Sequence, residues 1–209
     1  MRSLPALLAC SLLAACAGKA EKVCTTAEPV HANWRAVATD PDRDRLRRWR
    51  DAWIEALDKA RGAGKGAEIT AGGALFEPDL ALTGAMPPAG DYRCRTFKLG
   101  AKEGSAAAEF TAYPWSRCRI EADGDVLGFR KDDGPQRPIG RIYRESNARA
   151  IFLGTLTFGD EMVPVQYGRD DARDMAGVVE RVGERRWRIA LPYPAYESLL
   201  DVIELAPAA

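Results

Sequence analysis

From Gly90 onward the chain is a series of short alternating segments parted by turn residues, and few folds can absorb such a series. In the clearest case Trp187, Ile189 and Leu191 share one face and Arg186 and Arg188 the other, the period of two of a half-buried strand. Strands are expected at Asp91–Leu99, Ala108–Tyr113, Ser116–Ala122, Asp125–Lys131 and Pro138–Arg144. They continue at Ala150–Phe158, Met162–Tyr167, Gly177–Val182, Arg186–Leu191 and Leu199–Leu205. Asp123-Gly124, Asp132-Asp133-Gly134, Gly159-Asp160 and Gly183-Glu184 supply turns at hairpin spacing. Ala150–Phe158 is apolar on both faces, which asks for a central strand or one beneath a helix. Closure removes the exposed edges of consecutive antiparallel strands. The expected fold is mainly β (α+β): an antiparallel up-and-down β-barrel or curved meander with one N-terminal amphipathic helix packed on it.

That helix begins at Thr39-Asp40-Pro41, with Asp40 as N-cap, Pro41 in the first turn, and Asp42 and Asp44 suiting the positive end of the dipole. Leu46, Trp49, Trp53, Leu57 and Ala60 recur every three or four residues as one apolar stripe, and Gly62 and Gly64 end it. Two tryptophans on a stripe serve core packing before they serve a ligand platform. Trp34 is placed to fold back on the same stripe. Gly64 to Gly90, rich in glycine and proline, reads as a long crossing segment, either an ordered lid or a stretch holding a short strand near Ala74–Phe76.

The other end of the chain sets the address. Arg2 precedes an apolar run from Leu4 to Leu13, and Ala14 and Ala15 follow as the small residues of a cleavage site. The run stops at Ala17, short of the roughly 20 apolar residues of a membrane-crossing helix. Leu13-Ala14-Ala15-Cys16 resembles the lipobox of bacterial lipoproteins. The resemblance implies a leader at 1–15, acyl chains on Cys16, and a flexible tether over 16–32 ahead of a single domain at 33–209. Two or three chains on one residue make a stable anchor where one would not. Ala17 after the lipidated cysteine is the pattern associated with the outer membrane, so the expected location is the periplasm, lipid-anchored at that membrane. An ordinary secretory signal with a chance cysteine is the plainer reading.

Export frames the five cysteines at 10, 16, 24, 94 and 118. Cys10 leaves with the leader and Cys16 takes lipid. Cys94 and Cys118 each sit between two arginines in a strand, so each points inward while its neighbours point out. A Cys94–Cys118 disulfide is expected, with two buried thiols as the alternative. Cys24 is left in the tether.

The sequence holds little catalytic material. The one histidine, His31, lies in the tether, which disfavours Ser-His-acid, Cys-His and multi-imidazole zinc sites. No Walker loop, GxGxxG after a strand or GxSxG is present, and no cofactor or metal is expected. Lys plus Arg balance Asp plus Glu at 30 each with mixed signs, so no nucleic-acid track is expected. Asp170, Asp171 and Asp174 lack calcium-loop spacing and read as a charged loop pairing with its own arginines. Asp160-Glu161 reads as a hairpin tip. Glu180 would serve as a general acid only if it faced a pocket. Gln136-Arg137-Pro138 and Tyr167-Gly168-Arg169 set arginines at turns, where a fork can grip phosphate or carboxylate, surface arginine being the default.

Several stretches together resemble one family of exported proteins with no known activity, domain of unknown function 4893 (DUF4893). They include Asp44-Arg45-Leu46-Arg47-Arg48-Trp49-Arg50-Asp51-Ala52-Trp53, Gly90-Asp91-Tyr92-Arg93-Cys94-Arg95 and Tyr113-Pro114-Trp115-Ser116-Arg117-Cys118. Phe152-Leu153-Gly154-Thr155-Leu156, Tyr167-Gly168-Arg169-Asp170 and the run from Glu197 to Leu205 extend the likeness over roughly residues 33 to 207. It implies no catalytic or binding residue. The strand series is also loosely similar to calycins and small periplasmic protease-inhibitor barrels, a likeness of architecture alone. The expected function is a non-catalytic binding module for a small ligand or envelope component, joined to the membrane through Cys16. The alternatives are a protein-interaction or protease-inhibitor-like envelope protein and a carboxylate-dependent hydrolase.

Overall fold

The structure is a computed structural model that describes residues 32–208. The leader at 1–15, the lipidation residue Cys16, Cys24, His31 and all of the tether but its last residue lie outside the described residues. Helices α1 (Trp34–Val37), α2 (Asp40–Arg47), α3 (Trp49–Gly62) and α4 (Gly66–Gly72) and a 3-10 turn at Gly73–Phe76 come first. The strands are β1 (Gly90–Ala101), β2 (Phe110–Ala112), β3 (Ser116–Asp123), β4 (Val126–Lys131), β5 (Gln136–Arg144), β6 (Ala150–Phe158), β7 (Asp174–Gly183), β8 (Arg186–Pro192) and β9 (Ser198–Pro207). From β3 to β9 each pairs antiparallel with the next, and β9 returns to β1 over Tyr92–Ala101. The result is a closed eight-strand barrel, in which β2 and β3 share one place: β2 pairs with Phe97–Leu99 and β3 with Gly90–Cys94 of the same strand.

Three local expectations need correction. Met162–Tyr167 is no strand, because β7 pairs directly with β6 and takes the edge an intervening strand would need. Met162 instead stands 92% exposed in the β6–β7 loop. The single helix is two pieces broken at Arg48, and its N-cap is Thr39 rather than Asp40, the Thr39 hydroxyl accepting from the Asp42 N–H. The break lets α2 lie on β7 while α3 crosses β1, β9 and β8. Ala74–Phe76 is 3-10 helix rather than strand.

Alternation divides the barrel wall cleanly. Tyr92, Cys94, Phe129, Ile142, Phe152, Val179, Ile189, Ile203 and Leu205 fill the interior. On the outside, Phe97, Leu99, Ala190, Leu200 and Val202 receive Trp53, Ala56, Leu57 and Ala60 of α3. A third cluster packs Leu46 and Ala38 on Tyr143, Ile151, Leu153 and Val178, with Trp34 and Trp49 half-buried against it. Ala150–Phe158 is therefore apolar on both faces because it has a core on each. Close approach is bought by glycine at two places: a Cβ on Gly100 (φ +67°) would lie 2.8 Å from Ala56 Cα, and one on Gly140 would lie 2.4 Å from Gly154 Cα.

One guanidinium holds the middle of the crossing segment. Arg188 points outward from β8, fully buried, and donates to the carbonyls of Leu75 (3.0 Å), Glu77 (2.8 Å), Pro78 (3.1 Å) and Leu80 (3.1 Å). It also pairs with Glu180 at 2.6 Å and lies 4.9 Å above the Trp53 ring. Burial pulls its pKa down and the Glu180 carboxylate opposes that. Leu75 to Leu80 are thus packed against the barrel wall, with the carbonyls of Leu75, Glu77, Pro78 and Leu80 engaged.

Candidate functional site

The interior of the barrel is filled at one end and hollow at the other. At the filled end Tyr92 donates to Pro88 O (2.7 Å) and Trp187 Nε1 to Gly84 O (3.0 Å), tying the Leu82–Pro88 stretch across the opening. Ala85 and Met86 pack into the interior from that stretch. Cys94 and Cys118, diagonal neighbours on β1 and β3 with Cα atoms 5.8 Å apart, are joined by a disulfide inside the barrel. Phe129 and Phe152 meet edge to face at 5.6 Å.

Further along the same strands lies a cavity of about 250 Å³. Leu156, Met175, Leu191 and Ile203 give it apolar walls, and Tyr113, Pro135 and Phe158 stand at its edge. Polar side chains enter it from two sides: Thr96, Lys98 and Asp201 from the β1–β9 wall with Glu197 from the turn before β9, and Lys131 and Gln136 from the β4–β5 hairpin. Their orientation follows from strand register. Lys98 is the next inward position after Cys94 and Thr96, and Asp201 precedes Ile203 and Leu205 on the inward face of β9. Lys131 pairs with inward-facing Cys118 across the ladder.

The two lysines are in different electrostatic states. Lys98 Nζ lies 3.0 Å from Asp201 and 3.1 Å from Glu197. Burial works against its charge, but the carboxylates outweigh burial and its pKa is raised. Burial also raises the pKa of Asp201, against Lys98 and a hydrogen bond donated by the Ser198 hydroxyl. Lys131 Nζ donates to Gln136 O at 3.1 Å. Among the described residues no carboxylate lies within ion-pair distance of it, and Asp133, the acid whose charge acts on it, pairs with Arg117. Burial lowers the Lys131 pKa, Asp133 opposes this, and the charges of Arg137 and Lys98 add to it.

The β8–β9 turn beside the cavity is strained. Tyr193 (φ 46°) and Glu197 (φ 56°) are the non-glycine residues of positive φ among those described. Such strain persists where surroundings over-determine it, and Glu197 is fixed by its reach to Lys98.

The residues singled out in the sequence lie elsewhere. Glu180 faces outward, held by Arg188 and Arg149, and does not reach the cavity. Arg137 is no anion fork: it donates to the carbonyls of Gly159, Phe158 and Glu161 and ties two loops together. In Tyr167-Gly168-Arg169 the tyrosine hydroxyl donates to buried Asp42 at 2.7 Å, and burial and that acid push its pKa up. The acids at 170–174 do not pair with their own arginines, because Arg173 goes to Glu161 and Asp174 accepts from the Gly168 N–H. Among the described residues no group of three metal-ligating side chains occurs. A larger groove of about 510 Å³ between Trp34, Trp49, Arg43 and Arg47 lies open on the surface. Its arginines are already paired: Arg35 with Glu145, Arg43 with Asp40, Arg47 with Asp44 and Arg149 with Glu180.

Sequence reasoning missed Lys98, Lys131, Gln136 and Asp201. The signal was present: each is polar at a position whose strand parity points inward. No curated protein and no solved structure matches the chain. A family model, Domain of unknown function (DUF4893), matches residues 34–205, and the chain belongs to that family.

Proposed function

We propose that the protein is a non-catalytic cup for a small, largely apolar ligand, held at the periplasmic face of the outer membrane by lipid on Cys16. The observation that carries the cup is a cavity of about 250 Å³ with aliphatic walls and convergent polar side chains, at the one end of the barrel that its own core does not fill. A cavity near 150 Å³ accommodates benzene, so this one suits a ligand of about ten non-hydrogen atoms. The anchor is supported by Leu13-Ala14-Ala15-Cys16 and the following Ala17. The cup is preferred to a protein-interaction or inhibitor role because the Gly64–Gly90 segment, the long loop such a role would use, is tied to the barrel wall by Arg188 at Leu75, Glu77, Pro78 and Leu80. It is preferred to a carboxylate hydrolase because Asp201 and Glu197 both face one ammonium, Lys98.

Thermal unfolding of wild type and Leu191→Trp, with a panel of neutral compounds of about ten non-hydrogen atoms, tests the cup. Wild type should be stabilised by at least one of them and the cavity-filled variant by none. Equal shifts in both proteins would remove the cavity as the site. Labelled palmitate should enter the protein in cells and be absent from Cys16→Ser; label retained in the variant would remove the anchor.

A further inference from the structure

The two lysines of the cavity divide its chemistry. Lys98 faces two acids, so that side of the cavity carries a formal charge of one negative and offers an anion nothing. Lys131 enters from the opposite hairpin with a backbone carbonyl as its hydrogen-bond partner, and an ammonium has three donors to place. No acid of the hairpin pairs with it: Asp132 goes to Arg130 and Asp133 to Arg117, and Asp133 acts on Lys131 only from beyond ion-pair distance. Arg137, one turn away, gives its donors to loop carbonyls. An unmatched cation set beside Leu156, Met175 and Leu191 is a receptor for one negative charge on an apolar body. A carboxylate there gives Lys131 the charged partner it lacks, and low dielectric strengthens the bond they make.

Gln136 and Tyr113 line the same cavity and can complete the head-group contacts. The volume sets the tail. About ten non-hydrogen atoms, two of them carboxylate oxygens, leave a chain of about eight carbons or one substituted ring. A phosphate monoester is a poorer match, because its second charge would meet Asp201 and Glu197 across the cavity, where Lys98, already paired, is the one other cation among the described lining residues.

We infer that the cup selects a monocarboxylate, a medium-chain or single-ring acid whose carboxylate is received by Lys131 while its apolar body lies against Leu156, Met175, Leu191 and Ile203. This rests on the cup reading above, and the test separates the two. Calorimetric titration with octanoate, 1-octanol and octylamine holds the tail constant and varies only the head. Octanoate should bind wild type roughly ten- to a hundredfold more tightly than 1-octanol, the range of one hydrogen bond to a charged group. Lys131→Gln should remove that preference while still binding 1-octanol, which also reports that the variant is folded, and Lys131→Arg should retain part of it. Equal affinity for octanoate and 1-octanol, or preference for octylamine, would overturn the monocarboxylate and leave the cup. A preference that survives Lys131→Gln would overturn the role of Lys131. If none of the three ligands binds wild type, both readings fall.

Discussion

The two ends of the barrel are built from the same strands and the same alternation, yet they hold opposite contents. Along β1 the inward positions run Tyr92, Cys94, Thr96 and Lys98; along β9 they run Leu205, Ile203 and Asp201 in the facing direction. At one end they are aromatic, aliphatic or crosslinked, and the Leu82–Pro88 stretch seals the opening. At the other they become charged around a void. A core selected for stability alone would continue apolar, since a buried ion pair repays its desolvation only with good geometry. The open end therefore carries a cost that the closed end avoids, and such exceptions concentrate where a protein meets something else.

The comparison is sharpest in the packing. Phe152→Ala at the filled end should destabilise by about 4 kcal/mol, whereas Leu156→Ala, further along the same strand at the cavity wall, should cost about 2. Urea unfolding of the two variants measures the gap, and equal losses would mean that the open end is packed like the closed one. Next in size is the crosslink. Opening the Cys94–Cys118 loop, 24 residues in separation, should cost roughly 3.5 kcal/mol on the chain-entropy argument. That corresponds to about 10 °C in Tm, read by melting Cys94→Ala/Cys118→Ala; an unchanged Tm would show that the bond contributes no stability to the filled end.

Asp201→Asn at the open end should cost about 2 kcal/mol, because Lys98 loses its one buried carboxylate partner, Glu197 being exposed. Its pH dependence has a definite sign. Burial raises the Asp201 pKa, so its contribution is present below the ordinary aspartate range and is lost as pH rises through the raised value. The variant should lack that loss. Glu161, on the loop outside the barrel, behaves oppositely. Hydrogen bonds from Arg173, then from the Phe158 N–H, hold it down at about 2, so its contribution is present above the ordinary value of 4.5 and fades as pH falls toward 2. Glu161→Gln should flatten that acid limb, the smallest of these effects, and a limb of unchanged steepness would remove the assignment.

How much of this was legible in the sequence follows from what period-two patterning encodes. It reports which side of a wall a residue faces, so the barrel, the inward cysteines and the shared face of Trp187, Ile189 and Leu191 could be read directly. It reports nothing about height along the wall, so the polar residues at the hollow end were not separated from the many charged residues outside. Met162–Tyr167 has the composition of a strand but no free sheet edge to join, a fact of topology alone. Glu180 has the chemistry of a general acid, yet its partner is the outward Arg188, which holds the crossing segment. Lys131 was hidden for the converse reason: at the end of β4, beside Asp132 and Asp133, it looks like an ordinary hairpin charge.

The central claim is that small ligands enter the hollow end and no other part of the barrel. Methyl NMR during titration with 1-octanol tests it most directly. The account predicts progressive shifts at Leu156, Met175, Leu191 and Ile203, with Val179, Ile189 and Leu205 unmoved. Silence at the first group, or equal movement at the second, would contradict it.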